Sequence, residues 1–172
     1  MAVYALGDLV PVIADTAYVH PDATVIGSVT IGEYSSIWPS TVLRGDYGEI
    51  SVGDRTSVQD GAVIHATHDL ATHIGSDCVI GHNAHLEGCT IEDKALVGSG
   101  SIVLHRAVVR SGGLVGAGAV VSGGTEVPAG AMALGIPAKI KLDAVTPEMI
   151  QLAVDVYVHN AERYPKELRR ID

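Results

Sequence analysis

Aliphatic residues recur along this chain at an interval of six. Val19, Val25, Ile31, Ile37 and Leu43 carry the interval; Val52, Val58 and Ile64 resume it after three extra residues, and Ile74, Ile80 and Leu86 after four more. The step from Leu86 to Ile91 is one residue short, and Ile91, Val97, Val103, Val109, Val115 and Val121 then keep the interval again. Glycine often follows the aliphatic residue, as in Ile31-Gly32, Val52-Gly53, Ile74-Gly75, Ile80-Gly81 and Val97-Gly98, and a small residue often stands four after it, as in Ser35, Ala62, Ala84, Ala95 and Ala119. This is the hexapeptide repeat. Each hexapeptide supplies one short strand and a corner, and three make a triangular coil. The aliphatic side chain points inward onto a stacked column, and the small residue lets the chain turn. A β-sandwich of alternating strands does not predict one six-residue phase over about a hundred residues. The pattern therefore predicts an all-β solenoid, a left-handed parallel β-helix, over roughly residues 10–140.

The pattern changes after residue 145. Thr146-Pro147-Glu148 offers an N-cap, a proline at the first helical position and an early acid. Ile150, Val154, Tyr157, Ala161 and Tyr164 then recur at helical spacing, and Pro165 ends the pattern. The division is a solenoid over residues 1–145 and a C-terminal amphipathic α-helix with its tail over 146–172. The helix packs along the solenoid or onto a neighbouring subunit.

With three strands per coil and the extra residues placed in loops, the phase fixes which residues stack. Leu43, Ile64 and Leu86 start strands on one face, termed face A, and Ile37, Val58 and Ile80 on another, face C. Successive coils lie about 4.8 Å apart. Residues next to the inward aliphatics point outward, so Arg44, His65 and Glu87 form one column on face A. Asp60 and His82 share a column on face C beside Gln59, and His85 lies two residues before Glu87 on the same outward side. Outward groups on two faces of one coil do not converge. They meet where face A of one subunit contacts face C of the next, a heterologous contact that closes as a threefold ring. The expected assembly is a homotrimer.

Composition narrows the picture further. Of 172 residues 47% are apolar, yet the chain has no Phe and a single Trp, so the interior is built from small and β-branched side chains. A net charge of −9 argues against nucleic acid and anionic membrane as partners. Cys78 and Cys89 lack metal-type spacing and read as small buried hydrophobes of a reducing compartment, so a cytoplasmic location is expected. Five of the eight histidines lie between residues 65 and 85: His65, His68, His73, His82 and His85. Imidazole is the usual ligand of zinc and similar divalent ions, and three protein ligands with one open position make the catalytic zinc pattern. A single surface histidine is more often merely solvated; the stacking is what singles out His65 and His82. Arg44, Asp46 and Asp60 read most simply as interface ion pairs. His20, His105 and His159 have no clustered partners and receive no role.

Leu43-Arg44-Gly45-Asp46, Val58-Gln59-Asp60-Gly61, Val63-Ile64-His65, Ile80-Gly81-His82, Gly88-Cys89-Thr90-Ile91 and Gly135-Ile136-Pro137-Ala138-Lys139 occur in this order. Together they resemble the γ-class carbonic anhydrases, in their short bacterial branch, over nearly the whole chain. The resemblance implies a trimer with zinc (iron or cobalt being possible) held by three histidines at each subunit interface. It also implies reversible hydration of carbon dioxide to bicarbonate by metal-bound hydroxide. His65 matches a ligand from one subunit and His82 the ligand from its neighbour. Arg44, Asp46 and Asp60 match the interface ion-pair network, Gln59 a residue that hydrogen-bonds the metal-bound solvent, and Tyr157 a C-terminal tyrosine near the site.

Two positions depart from that family. Where its third histidine stands, five residues after His82, this chain has Glu87. Either His85 supplies the third ligand or Glu87 does; His85 is favoured, because a nitrogen ligand keeps the site positive enough to acidify water, with Glu87 then orienting a ligand from behind. Tyr47 follows Asp46 where the archetype has a Glu, and the loop 66–73 is short, leaving His68, His73 and Asp69 as candidate proton carriers. Two other functions share the repeat: a CoA-dependent hexapeptide acyltransferase with a histidine general base, and a metal-binding trimeric scaffold without turnover.

Overall fold

The computed structural model describes residues 2–172, which form a left-handed parallel β-helix of about seven turns and one C-terminal helix. Face A stacks Ala2–Tyr4, residues 24–27, residues 42–45, Val63–His65, His85–Glu87, Ile102–Val103 and Val120–Val121. Face B stacks Val12–Ile13, residues 29–31, residues 50–52, Thr72–Ile74, Thr90–Ile91, Val108–Val109 and Glu126–Val127. Face C stacks Tyr18–Val19, Ser36–Ile37, Ser57–Val58, Val79–Ile80, Leu96–Val97, Leu114–Val115 and Met132–Leu134, and the antiparallel strand Lys139–Lys141 closes it. Ala2–Tyr4 already stack on residues 24–26, ahead of residue 10 where the repeat pattern predicts the solenoid to start.

The periodic aliphatics are the core. Leu43, Ile64 and Leu86 are in register on face A, Ile37, Val58 and Ile80 on face C, and all six are fully buried. Each such side chain is covered only because the coils above and below supply the next one. Corners take a left-handed residue at the same interval: Lys94, Gly100, Arg106, Gly112, Gly118, Gly124 and Gly130 all have positive φ. Cys78 and Cys89 lie inside the rod, where burial pushes both thiols up to about 12.

Both insertions fall at the same A-to-B corner. The strand Val42–Val52 spans this corner, paired with residues 24–27 up to Gly45 and with residues 29–31 from Ile50, and the loop after His65 stacks beside it, with Tyr47 and His68 rings 4.9 Å apart. Gly45 sits where a Cβ would lie 2.4 Å from the Ser28 carbonyl oxygen. That contact is backbone and cannot swing away. Gly45→Ala is therefore expected to cost about 1–3 kcal/mol or more through forced backbone movement, read as a lowered urea midpoint. An unchanged midpoint would show that the corner is looser than this contact requires.

The helix, Pro147–Glu167, lies across face C of its own solenoid. Ile150 and Val154 pack on Val79, and Ala161 joins Tyr18 and Trp38 beneath Tyr157 and Tyr164. The helix starts at the expected proline but runs through Pro165 instead of stopping there. The last turn closes with the Leu168 N–H donating to the Tyr164 carbonyl at 2.9 Å. No helix among the described residues is long and apolar enough to cross a membrane.

Candidate functional site

The predicted face A column exists as a hydrogen-bonded register: Arg44 opposite His65, and His65 opposite Glu87. Because Leu43, Ile64 and Leu86 point inward, their successors point out. His65 is held at both ring nitrogens. Nδ1 faces Glu87 Oε1 at 2.8 Å and Nε2 faces Asp46 Oδ1 at 3.1 Å, while Arg44 donates to the other Asp46 oxygen. For Asp46 the largest influence is burial, which opposes ionisation. The hydrogen bonds from Arg44 and His65 together outweigh it and hold the carboxyl below its usual value. The hydrogen bond from His65 is the main cause that lowers Glu87, again against burial, with His105 and His85 adding to it.

Asp60 and His82 also stand together, His82 Nδ1 at 2.9 Å from Asp60 Oδ2. They occupy the turns that follow the face C strands, one coil apart, not the flat of face C. This corrects the expected docking geometry. Face C is covered by the chain's own helix, which leaves the corner between faces C and A as the exposed surface that carries these two residues. Gln59 precedes that corner and is buried; its carbonyl accepts from the Thr41 hydroxyl at 2.9 Å. Tyr157 reaches the same region from the helix. Its ring packs against Trp38 at 5.4 Å, and burial, followed by the negative charge of Asp60 and then Tyr164, pushes its phenol upward.

His85 points outward two residues before Glu87, its Nε2 3.5 Å from Glu87 Oε2. Its register partners are otherwise apolar: Val42 and Val63 on one side, Ile102 and Val120 on the other. The corresponding outward column of face B is Ser51, His73, Thr90, Val108 and Glu126. Face A thus presents an apolar stripe with one histidine in it, while face B is largely polar. His73 lies on face B and bonds Ser51 Oγ at 2.8 Å, so it does not join His65.

His105, given no role from the sequence, belongs to this cluster. The Arg106 N–H donates to the Gly88 carbonyl at 2.7 Å, which stacks His105 over Gly88, and its Nε2 comes 3.7 Å from Glu87 Oε2. The face A column itself continues from Glu87 to the level of Leu104; His105 enters from the adjoining corner, one residue further on. His20 also has a local partner, its Nδ1 accepting from the Asp22 N–H at 3.1 Å. Among the described residues of one chain, no three histidine, cysteine or carboxylate side chains close around a single ion. The chemistry of the donors suits a shared ion in part: His82 has a carboxylate on Nδ1 and leaves Nε2 open, the support that metal-ligating histidines require, whereas His65 also has Glu87 on Nδ1 but would have to release Nε2 from Asp46.

The model of bacterial transferase hexapeptide repeats matches residues 11–45 and 71–105. The carnitine operon protein CaiE of Escherichia coli O157:H7 is 43% identical over 104 residues, 60% of this chain and 53% of that protein, so the chain matches about half the length of these curated relatives. A hexapeptide transferase family protein from Anaplasma phagocytophilum is 35% identical with TM-score 0.90, over 95% of this chain and 98% of the other. A Bacillus cereus protein with a provisional acetyltransferase assignment is also 35% identical, with TM-score 0.91 over 95% and 96% of the two chains. Perosamine N-acetyltransferase from Caulobacter crescentus, solved with CoA and GDP-perosamine, is 26% identical with TM-score 0.56, over 77% of this chain and 57% of that one. By repeat, by fold and by end-to-end similarity, this chain belongs to the hexapeptide transferase family.

Proposed function

We propose that three copies of the chain associate with face A of one subunit against the C-to-A corner of the next, and that each contact forms a divalent-metal site that hydrates carbon dioxide to bicarbonate. The observation that carries this reading is the pair of carboxylate-backed histidines, His65 with Glu87 and His82 with Asp60, on two surfaces that only a second subunit can bring together. The apolar stripe of Val42, Val63, Ile102 and Val120 supplies the surface to be buried. A contact of one patch with a different patch closes into a ring when its rotation is threefold.

In that assembly His65 of one subunit, its Nε2 released from Asp46, and His82 of the partner subunit would hold the ion, with His85 as the remaining nitrogen donor on the contact face. Zinc, when bound, lowers the pKa of a coordinated water to about 7 and so supplies a nucleophile at neutral pH. The chain's own groups do the rest. Asp60 fixes the tautomer and orientation of His82, and Glu87 does the same for His65. Arg44 and Asp46 tie the A-to-B corner to the ligand column. Gln59 and Tyr157 border the corner from the core and from the helix, where each can orient solvent or substrate by hydrogen bonding.

A second reading is favoured by the acetyltransferase names of the relatives and by one feature of the site. A histidine whose Nδ1 rests on a carboxylate and whose Nε2 is available is also a general base, so His82 with Asp60 could deprotonate an acyl acceptor for transfer from CoA. The two are separable with purified protein. The metal reading expects about one divalent ion per chain and stopped-flow carbon dioxide hydration that chelation abolishes and zinc, iron or cobalt restores. Absence of metal together with saturable acetyl-CoA binding would replace it with acyl transfer. Stoichiometric metal without hydration would leave a metal-binding scaffold.

A further inference from the structure

Glu87 is surrounded by three histidines, and only one of them has a settled partner. His65 Nδ1 takes Oε1 at 2.8 Å. The other oxygen, Oε2, lies 3.5 Å from His85 Nε2 and 3.7 Å from His105 Nε2. These distances are too long for good hydrogen bonds yet leave no room for an intervening water. His105 Nε2 is itself buried and has no hydrogen-bond partner among the described residues. A buried ring nitrogen is costly to leave unpaired. The packing around it is tight: a Cβ on Gly88 would meet His105 Cδ2 at 2.8 Å and Leu70 Cβ at 2.9 Å, so the absence of a side chain at Gly88 is what admits the imidazole beside the carboxylate.

We propose that His105 is a positioning residue. A small closing of the 3.7 Å gap lets its Nε2–H donate to Glu87 Oε2, and with His85 beside it this fixes the carboxylate so that Oε1 stays on Nδ1 of His65. His105 never touches the ion or substrate; it acts through Glu87 on the orientation of the His65 ring. The consequence for metal binding rests on the metal reading above, but the hydrogen bond itself does not. When His85 turns toward a shared ion, His105 is the donor left to hold Glu87, which gives the two histidines different jobs.

Two measurements on the intact protein test this. In the metal-free protein, the His65 Nδ1–H should be a slowly exchanging, downfield imidazole resonance by NMR, lost in His105→Ala and kept in His105→Gln, whose amide can donate in place of Nε2. Cobalt titration should show a 10–100-fold weaker affinity in His105→Ala, the usual cost of removing an outer partner, with an altered visible spectrum, and near-native behaviour in His105→Gln. A His65 resonance unchanged in His105→Ala would overturn the inference. So would loss of the resonance in both variants, since that indicates a packing role alone. Failure of the wild-type protein to bind cobalt would sink the metal reading, and the resonance would still decide the role of His105.

Discussion

Replacing Trp38 with Ala is expected to lower the stability of the fold by about 3–5 kcal/mol and to release the C-terminal helix. Trp38 is nearly fully buried, outward of face C and inward of the helix. Its ring meets Tyr18 at 5.5 Å, Tyr157 at 5.4 Å and Tyr164 at 4.8 Å, and its indole N–H is shared between Ser36 Oγ and Ser57 Oγ at 3.0 Å each. Ala removes the ring that joins helix to solenoid and strands both hydroxyls in an apolar pocket. Because the solenoid core runs behind this cluster without depending on it, the coils should survive while residues 147–167 lose hydrogen-exchange protection. Tyr157 would leave the field of Asp60, coupling helix docking to the corner. A native midpoint with a protected helix would show that Ile150 and Val154 on Val79 suffice to hold it.

His82→Ala is expected to have the largest functional effect with little structural cost. His82 is half exposed at a corner, and its partner Asp60 is equally exposed, so losing the imidazole leaves a carboxylate that water can solvate. Stability should stay within about 0.5 kcal/mol of wild type. Metal affinity should fall by more than the 10–100-fold typical of removing an outer partner, because a direct donor is lost. Carbon dioxide hydration should fall with it, and added zinc at moderate excess should not restore it. Full metal occupancy in this variant, measured by elemental analysis after gel filtration, would remove His82 from the site.

The fold was legible because a six-residue period has one structural meaning. Each of Leu43, Ile64 and Leu86 lands in register, and the columns that follow from them, Arg44 with His65 and Glu87, come out as paired strands. Register is easy to read when the side-chain period is fixed. What escaped the reading were features that depend on where coils deviate. The first coil escaped because Val3 and Ile13, which stack on Val25 and Ile31, stand ten residues apart, with extra residues at the same A-to-B corner that interrupt the count. His105 was missed because it stacks through a corner shortened by one residue, where counting by six loses its place. The placement of Asp60 and His82 at a corner, and the covering of face C by the helix, are tertiary facts that no local pattern carries. Two neighbouring histidines with different environments, His85 in an apolar stripe and His73 on a polar face, look alike in sequence and differ only in which way the strand turns them.

Sites shared between subunits have a signature that single-chain sites cannot imitate. His65→Ala and His82→Ala, each deficient in metal, should be unfolded together and refolded as mixed trimers. A site is intact only where a subunit that keeps His65 meets one that keeps His82 in the right order, and random mixing in equal amounts produces that order at about one contact in four. Recovery of about a quarter of wild-type metal occupancy is the predicted result. No recovery, in trimers shown by mass spectrometry to contain both variants, would contradict a site built from His65 of one subunit and His82 of the partner subunit.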